Sequence, residues 1–296
     1  MTSLDVKEAD SLATIHAAVD CGINFFDTAF CYGIDGESET LLRRTLSDQR
    51  EEMVIATKGG LHWDANAKRV MDASPSRLEY ECNESLKRLG TEYVDLLYLH
   101  APDGTTPIQE SAAALQRLLA SGKTRAVGAS NLTLEQLQSF HAVCPVSAFQ
   151  PAYNMLQRDI ERDIVPWCQE NEISLMVYWP LLKGLLAGKL PRDFQFQEGD
   201  GRAKYALFQG EEWQKNQDFV QKLREIAQGA GRTVAELVVN WTIHQPGITA
   251  ALCGAKRAGQ IEESAGGMGW TLTHEQTEKI EKALAERGQP AEMKAV

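Results

Sequence analysis

The 296-residue chain has no run of lysine or arginine and no C-x-x-C pair. Nor does it have a G-x-G-x-x-G turn behind a strand-like run, or an apolar stretch near the roughly 18 residues of a membrane span. The first absence, with a net charge of -11, excludes a nucleic-acid or anionic-membrane surface. The six cysteines (Cys21, Cys31, Cys82, Cys144, Cys168, Cys253) are scattered without metal-ligand spacing, so neither a disulfide framework nor a metal site is expected. They read as buried thiols in a reducing compartment. The opening MTSLDVKEAD is polar and acidic rather than basic then apolar, so no leader is read and the expected location is cytoplasmic. No linker or compositional break divides the chain, and a single domain over residues 1–296 is expected. What remains is a soluble acidic protein acting on small molecules.

Seven short apolar runs are present: INFF (23–26), MVIAT (53–57), VDLLYL (94–99), RAVGA (125–129), SAFQ (147–150), ISLMVY (173–178) and ITAALC (248–253). Most are continuous rather than alternating, the pattern of strands covered on both faces and hence of a parallel sheet. Amphipathic segments lie between them. Ala9, Leu12, Ile15 and Val19 mark a first helix stopped by Gly22. Ser74-Pro75 opens another, with Leu78, Cys82, Leu86 and Leu89 on one face and Gly90 at its end. Thr133 and Thr233 are N-cap candidates, and Thr273 with Gln276 forms a capping box.

Alternation of this kind predicts an α/β fold, and seven strand-helix units favour a closed (β/α)8 barrel over an open doubly wound sheet, which normally carries the glycine-rich turn. A (β/α)8 barrel needs eight strands. Because the first helical pattern starts within ten residues of Met1, the expected barrel lacks its first strand and N-terminal hairpin.

The residues that follow the runs are polar: Asp27 and Thr28, Lys58, His100, Ser130 and Asn131, Gln150, Tyr178, and Gly254 to Arg257. In a parallel barrel all of them fall on the C-terminal rim, where barrel enzymes build their chemistry. A tyrosine phenol, with a reference pKa of about 10, gives up its proton poorly unless its anion is stabilised. Lys58 beside Tyr32 would supply that help, Asp27 would keep Lys58 charged, and His100 would orient a carbonyl or relay a proton. This chemistry turns a carbonyl into an alcohol as it accepts a hydride, and it requires the tips of Tyr32 and Lys58 within roughly 8 Å.

The blocks GINFFDTAFCYG, IATKGG, SLKRLGTEYVDLLYLHAPD, GKTRAVGASN, QPAYN, VYWPLLKGLLAGK and GAKRAGQIEES resemble, in the same order, those of the aldo-keto reductase family across essentially the whole chain. The resemblance implies a (β/α)8 barrel and a catalytic tetrad of Asp27, Tyr32, Lys58 and His100. It also implies a nicotinamide carboxamide held by Ser130, Asn131 and Gln150, with Tyr178 stacked on the ring. Gly184 to Leu186 would line the pyrophosphate path, Gln260 and Glu263 would lie near the adenosine, and Pro180, Leu181 and Gly254 would be further cofactor contacts. Lys256, with Arg257, suits a 2′-phosphate, so NADPH (oxidised form NADP+) is the expected cofactor and a small carbonyl compound the expected substrate. The chain departs from the family pattern at Ser264, where an asparagine is common, at Trp179, where a serine is common, and in the absent first strand.

Each residue also has a bland role. Asp27 alone would be a turn former, Lys58 a solvated strand end, and Ser130-Asn131 the loop before a helix cap. His16, His62, His141, His244 and His274 have no partner spacing and receive no role. Trp63 either packs over a substrate or covers its loop. Three rival readings stand beside a fully active reductase: a cofactor-binding regulatory or accessory subunit, an N-terminally truncated and weakly active reductase, and an aldolase-like barrel with Lys58 as a Schiff-base nucleophile. The ion pair with Asp27 argues against the last. Association with copies of itself is left open, as are the physiological substrate and its specificity loops, 61–68 and 194–210.

Overall fold

The computed structural model describes residues 6–293. Part of the N-terminal stretch read for a leader lies outside them. In chain order the elements are α1 (Glu8–Asp20), β1 (Phe25–Asp27), α2 (Glu37–Leu46), β2 (Val54–Gly59), β3 (Leu61–Trp63), β4 (Arg69–Met71), α3 (Pro75–Leu89), β5 (Leu96–Leu99) and α4 (Ile108–Ala120). There follow β6 (Val127–Ser130), α5 (Leu134–His141), β7 (Ala148–Gln150), α6 (Ile164–Glu170) and β8 (Ser174–Tyr178). The chain ends with α7 (Gly210–Gly229), α8 (Val234–Ile243), β9 (Ile248–Leu252), α9 (Ala258–Ala265) and α10 (His274–Arg287).

All seven apolar runs form strands, in the strictly sequential order β1-β2-β5-β6-β7-β8-β9. Each pairing from β1 to β8 is parallel. A doubly wound sheet reverses its strand order at a switch point; this order never reverses, and it is the order of a (β/α)8 barrel. The β3–β4 hairpin stands apart as an antiparallel pair. No helix among the described residues is long and apolar enough to cross a membrane.

The chain divides into two compact units. The first comprises Met1–Pro151, Asp163–Met176 and Gly254–Glu262. Its strands are almost wholly buried, as continuous apolar runs require. Parallel register sets Lys58 beside Tyr98, Tyr98 beside Gly128 and Gly128 beside Ala148. Gly128 is needed there, because a Cβ on it would stand 2.4 Å from the Tyr98 ring. On α3, Leu78, Glu81, Cys82, Ser85 and Leu89 are buried, and Gly90 ends the helix at φ 65°. A side chain at 90 would strike Arg43.

The second unit comprises Ala152–Arg162, Val177–Cys253 and Glu263–Val296. Its core includes Phe208, Trp213, Phe219, Leu223 and Trp241, with Tyr153 stacked on Trp241 at 5.9 Å. Thr133 in the first unit, and Thr233 and Thr273 in the second, each complete a capping box with the residue three positions on.

Candidate active site

The first unit brings Asp27, Lys58, Tyr32, His100 and Gln150 together. Asp27 is the last residue of β1 and pairs with Ala56, and Lys58 lies two positions further along β2 on the same face, so the two side chains meet across neighbouring strands. Lys58 is 1% exposed. Its Nζ donates to Asp27 Oδ2 at 2.5 Å and to Thr28 O at 2.9 Å, and lies 5.1 Å from the centre of the Tyr32 ring. The Tyr32 and His100 rings meet edge to face at 5.9 Å. The required closeness of residues 32 and 58 is met.

Burial is the largest influence on Lys58 and pushes its ammonium down, but Asp27 and Tyr32 together outweigh it and the net shift is upward. An amine held charged by two acceptors has no lone pair for a Schiff base. Lys58 is also the largest influence on Tyr32 and favours its anion. Burial and the charge of Asp27 outweigh that help, so the phenol sits above its ordinary value. The sequence predicts that Lys58 lowers the pKa of the phenol. The folded site instead keeps the phenol protonated, with a cation waiting beside it. His100 is buried and pushed down to about 3, first by burial and then by Lys58 and Arg69. It is a neutral imidazole.

Three further contacts frame this cluster. Gln150 Nε2 donates to Asp27 Oδ1 at 2.8 Å, joining the side chain expected at the carboxamide to the charged pair. Ser130 Oγ donates to Gln150 O at 2.7 Å, and Asn131, at φ 58°, donates from Nδ2 to His100 O at 2.9 Å. Trp63 Nε1 donates to both Cys31 O and Gly33 O at 2.9 Å, so Trp63 ties the hairpin to the segment carrying Tyr32.

Among the other expected cofactor residues of this unit, Gly254 has nothing within 4 Å of where a Cβ would stand. Lys256 and Arg257 are exposed at the entry to α9, and the Lys256 backbone N–H donates to Gln260 Oε1 at 2.8 Å. Open backbone followed by two exposed cations fits an anionic nucleotide.

In the second unit, Tyr178 ends β8 with its ring edge-on to Trp179 at 5.2 Å. Trp179, Leu182, Lys183 and Gly184 all adopt positive φ, a tightly wound loop in which Lys183 Nζ lies 4.1 Å from the Trp179 ring centre. Leu181 is half-buried within this loop, whereas Pro180 and Leu186 are buried, so those two offer a ligand little side-chain surface. Glu263 is engaged by Lys189, a partner not anticipated from the sequence.

The sequence reading also missed Glu81, His62 and Cys31. The fully buried Glu81 accepts from Gly60 N–H and Arg77 Nε, both at 2.6 Å, with His62 Nδ1 3.6 Å from its Oε1. A glutamate on the apolar face of α3 was the available signal.

A family model described as the aldo/keto reductase family matches residues 2–285. Aldo-keto reductase YhdN of Bacillus subtilis (strain 168) is 37% identical over 280 residues, covering 94% of this chain and 84% of the relative. The solved structure of the glycerol dehydrogenase AKR11B4 from Gluconobacter oxydans superposes with a TM-score of 0.90 at 36% identity, covering 97% of this chain and 89% of that one. An aldo/keto reductase from Klebsiella pneumoniae, solved in complex with NADP and acetate, matches at a TM-score of 0.74 and 26% identity, over 97% and 88% of the two chains.

Proposed function

Since the chain belongs to the aldo/keto reductase family, and is thereby an NAD(P)(H)-dependent oxidoreductase that reduces carbonyl compounds, we propose that Tyr32 is its general acid and NADPH its preferred nucleotide. One domain over residues 1–296 is the unit of activity in this reading. The observation that carries it is the convergence of Lys58 on Asp27, Thr28 O and the Tyr32 ring.

When bound, the reduced nicotinamide supplies a hydride to the carbonyl carbon. The chain's own residues handle the proton. Tyr32 holds it at rest, because its pKa lies above the ordinary value. As charge builds on the substrate oxygen, the Tyr32 hydroxyl gives it the proton, and the phenolate forms next to an ammonium already in place. Asp27 and Thr28 O fix that ammonium, so no reorganisation is needed when the charge appears. His100, neutral throughout the working range, orients the carbonyl by donating a hydrogen bond.

For the nucleotide, Ser130, Asn131 and Gln150 are proposed as carboxamide contacts, Lys256 with Arg257 as contacts of the 2′-phosphate, Gln260 as a contact near the adenosine, and Gly254 as a further cofactor contact. Tyr178, Pro180, Leu181, Gly184, Leu186 and Glu263 are proposed as the second unit's contacts. The exposed Lys256 and Arg257 support NADPH over NADH.

NADPH fluorescence should change on mixing with the protein, and a nitrobenzaldehyde should be turned over with a higher kcat/KM for NADPH than for NADH. Tyr32→Phe should lose about a hundredfold to ten-thousandfold in turnover while still binding NADPH. Undiminished turnover in that variant would remove Tyr32 from the role. Binding without any turnover by the unaltered protein would favour an accessory subunit.

A further inference from the structure

We propose that Cys31 is a positioning residue for His100: its thiol, 3.8 Å from His100 Nδ1, donates to that nitrogen and so keeps the imidazole proton on Nε2, the nitrogen turned away from Cys31. The proposal rests on the reading of His100 as the group that orients the carbonyl.

A neutral imidazole exists as two tautomers, and only the one with hydrogen on the substrate-facing nitrogen can donate to a carbonyl oxygen. The wrong tautomer aims a lone pair at that oxygen. Something must therefore choose, and the choice is set by what the other ring nitrogen meets. Here it meets sulfur. Cys31 is 2% exposed and packs with Ala29 and Leu61, against which Tyr32 and Trp63 also rest. Its carbonyl is held by Trp63 Nε1 and the next N–H, that of Tyr32, donates to Ala29 O at 3.0 Å, so the thiol has little freedom to turn away. An imidazole nitrogen is a good acceptor and a thiol sulfur a weak one, which favours S–H to Nδ1 over the reverse bond. The charge states agree. Burial pushes the Cys31 thiol up to about 11, so it keeps the hydrogen it donates, while His100 stays uncharged. Neither partner can drift into a thiolate–imidazolium pair near neutral pH.

The test is nitrogen NMR of the full chain labelled at histidine, with the His100 signals assigned by their loss in His100→Asn. The unaltered protein should show Nε2 protonated and Nδ1 bare. Cys31→Ala should give a tautomer mixture and an about five- to tenfold lower kcat with nitrobenzaldehyde at unchanged NADPH affinity. Cys31→Ser, which retains a hydroxyl donor, should restore both. A protonated Nδ1 in the unaltered protein, an unchanged tautomer and kcat in Cys31→Ala, or a serine variant indistinguishable from alanine would each overturn the proposal. The NMR result stands without turnover. Full activity in Tyr32→Phe would instead defeat the general-acid reading and leave the tautomer assignment in place.

Discussion

Two ion pairs border strand β2, and they are mirror images in burial. In Lys58–Asp27 the cation is sealed, at 1% side-chain exposure, while the carboxylate opens outward at 15%. In Arg77–Glu81 the carboxylate is sealed at 0% and the cation opens outward at 24%. The outcomes differ as well. Lys58 is pulled above its ordinary value because Asp27 and Tyr32 outweigh burial, whereas Glu81 is pushed up to about 7 because burial outweighs Gly60 N–H and Arg77. A buried group keeps its charge only where enough opposite partners close around it. The end of β1 provides that enclosure around Lys58, whereas Gly60 N–H and Arg77 do not complete it around Glu81.

The largest effect should come from breaking the sealed cation. Lys58→Met leaves Asp27 without its ammonium and Tyr32 without the charge that eases phenolate formation. We expect a loss of about 3 kcal/mol in a urea melt, together with at least about a hundredfold loss of turnover. Adding Asp27→Asn should recover much of the stability and none of the activity, since it removes the stranded carboxylate but not the need for a cation. A double variant as unstable as the single would show that packing of the lysine stem, rather than charge, holds this corner together.

Arg77→Met should be milder, about 1 kcal/mol in the same melt, because the guanidinium is partly solvated and its remaining contacts include only the weak approach to the Phe30 and Tyr80 rings, at 5.6 and 5.2 Å. Turnover should change little. Should Arg77→Met prove costlier than Lys58→Met, the two pairs would have to be ranked by the buried carboxylate instead of the buried cation.

The sequence made one side of this contrast visible and hid the other. Continuous apolar runs marked every strand of the main sheet, because strands buried on both faces have nothing polar to interrupt them. Asp27, Lys58 and His100 were legible as polar residues placed where such runs stop. The three-residue strands of the hairpin left no such trace: HWDANAKRV is polar, and its turn is made by Asp64 accepting from Asn66 and Lys68 N–H. Helix α2 was unmarked too, since its N-cap is Gly36 at φ 79° with no capping side chain. Bonds joining distant positions, Gln150 to Asp27 and Cys31 to His100, exist only after the sheet closes the distance. Glu81 looked like one more charge on an amphipathic helix. Only its place between Leu78 and Cys82 hinted that it faces inward.

Glu81 is also where the smallest effect should appear, as a slope rather than a drop. The folded protein holds the Glu81 proton up to about pH 7, whereas the unfolded chain releases it near the ordinary 4.5. Between those values the folded state binds more protons, so stability falls as pH rises through the window. Glu81→Gln cannot titrate, and the melting temperature of the unaltered protein minus that of the variant should decline from pH 4.5 to about 7 and level off above it. His62, 3.6 Å away, is shifted the other way, downward, by burial and Arg77. Its folded form sheds a proton the unfolded chain keeps, which makes stability rise with pH below the ordinary histidine value. Both proteins carry His62, so the difference between their curves removes most of that opposing slope and leaves the glutamate's. A flat difference across the window would mean that Arg77 and Gly60 N–H already enclose Glu81 well enough to keep it ionised, and the two pairs bordering β2 would then obey one rule in place of two.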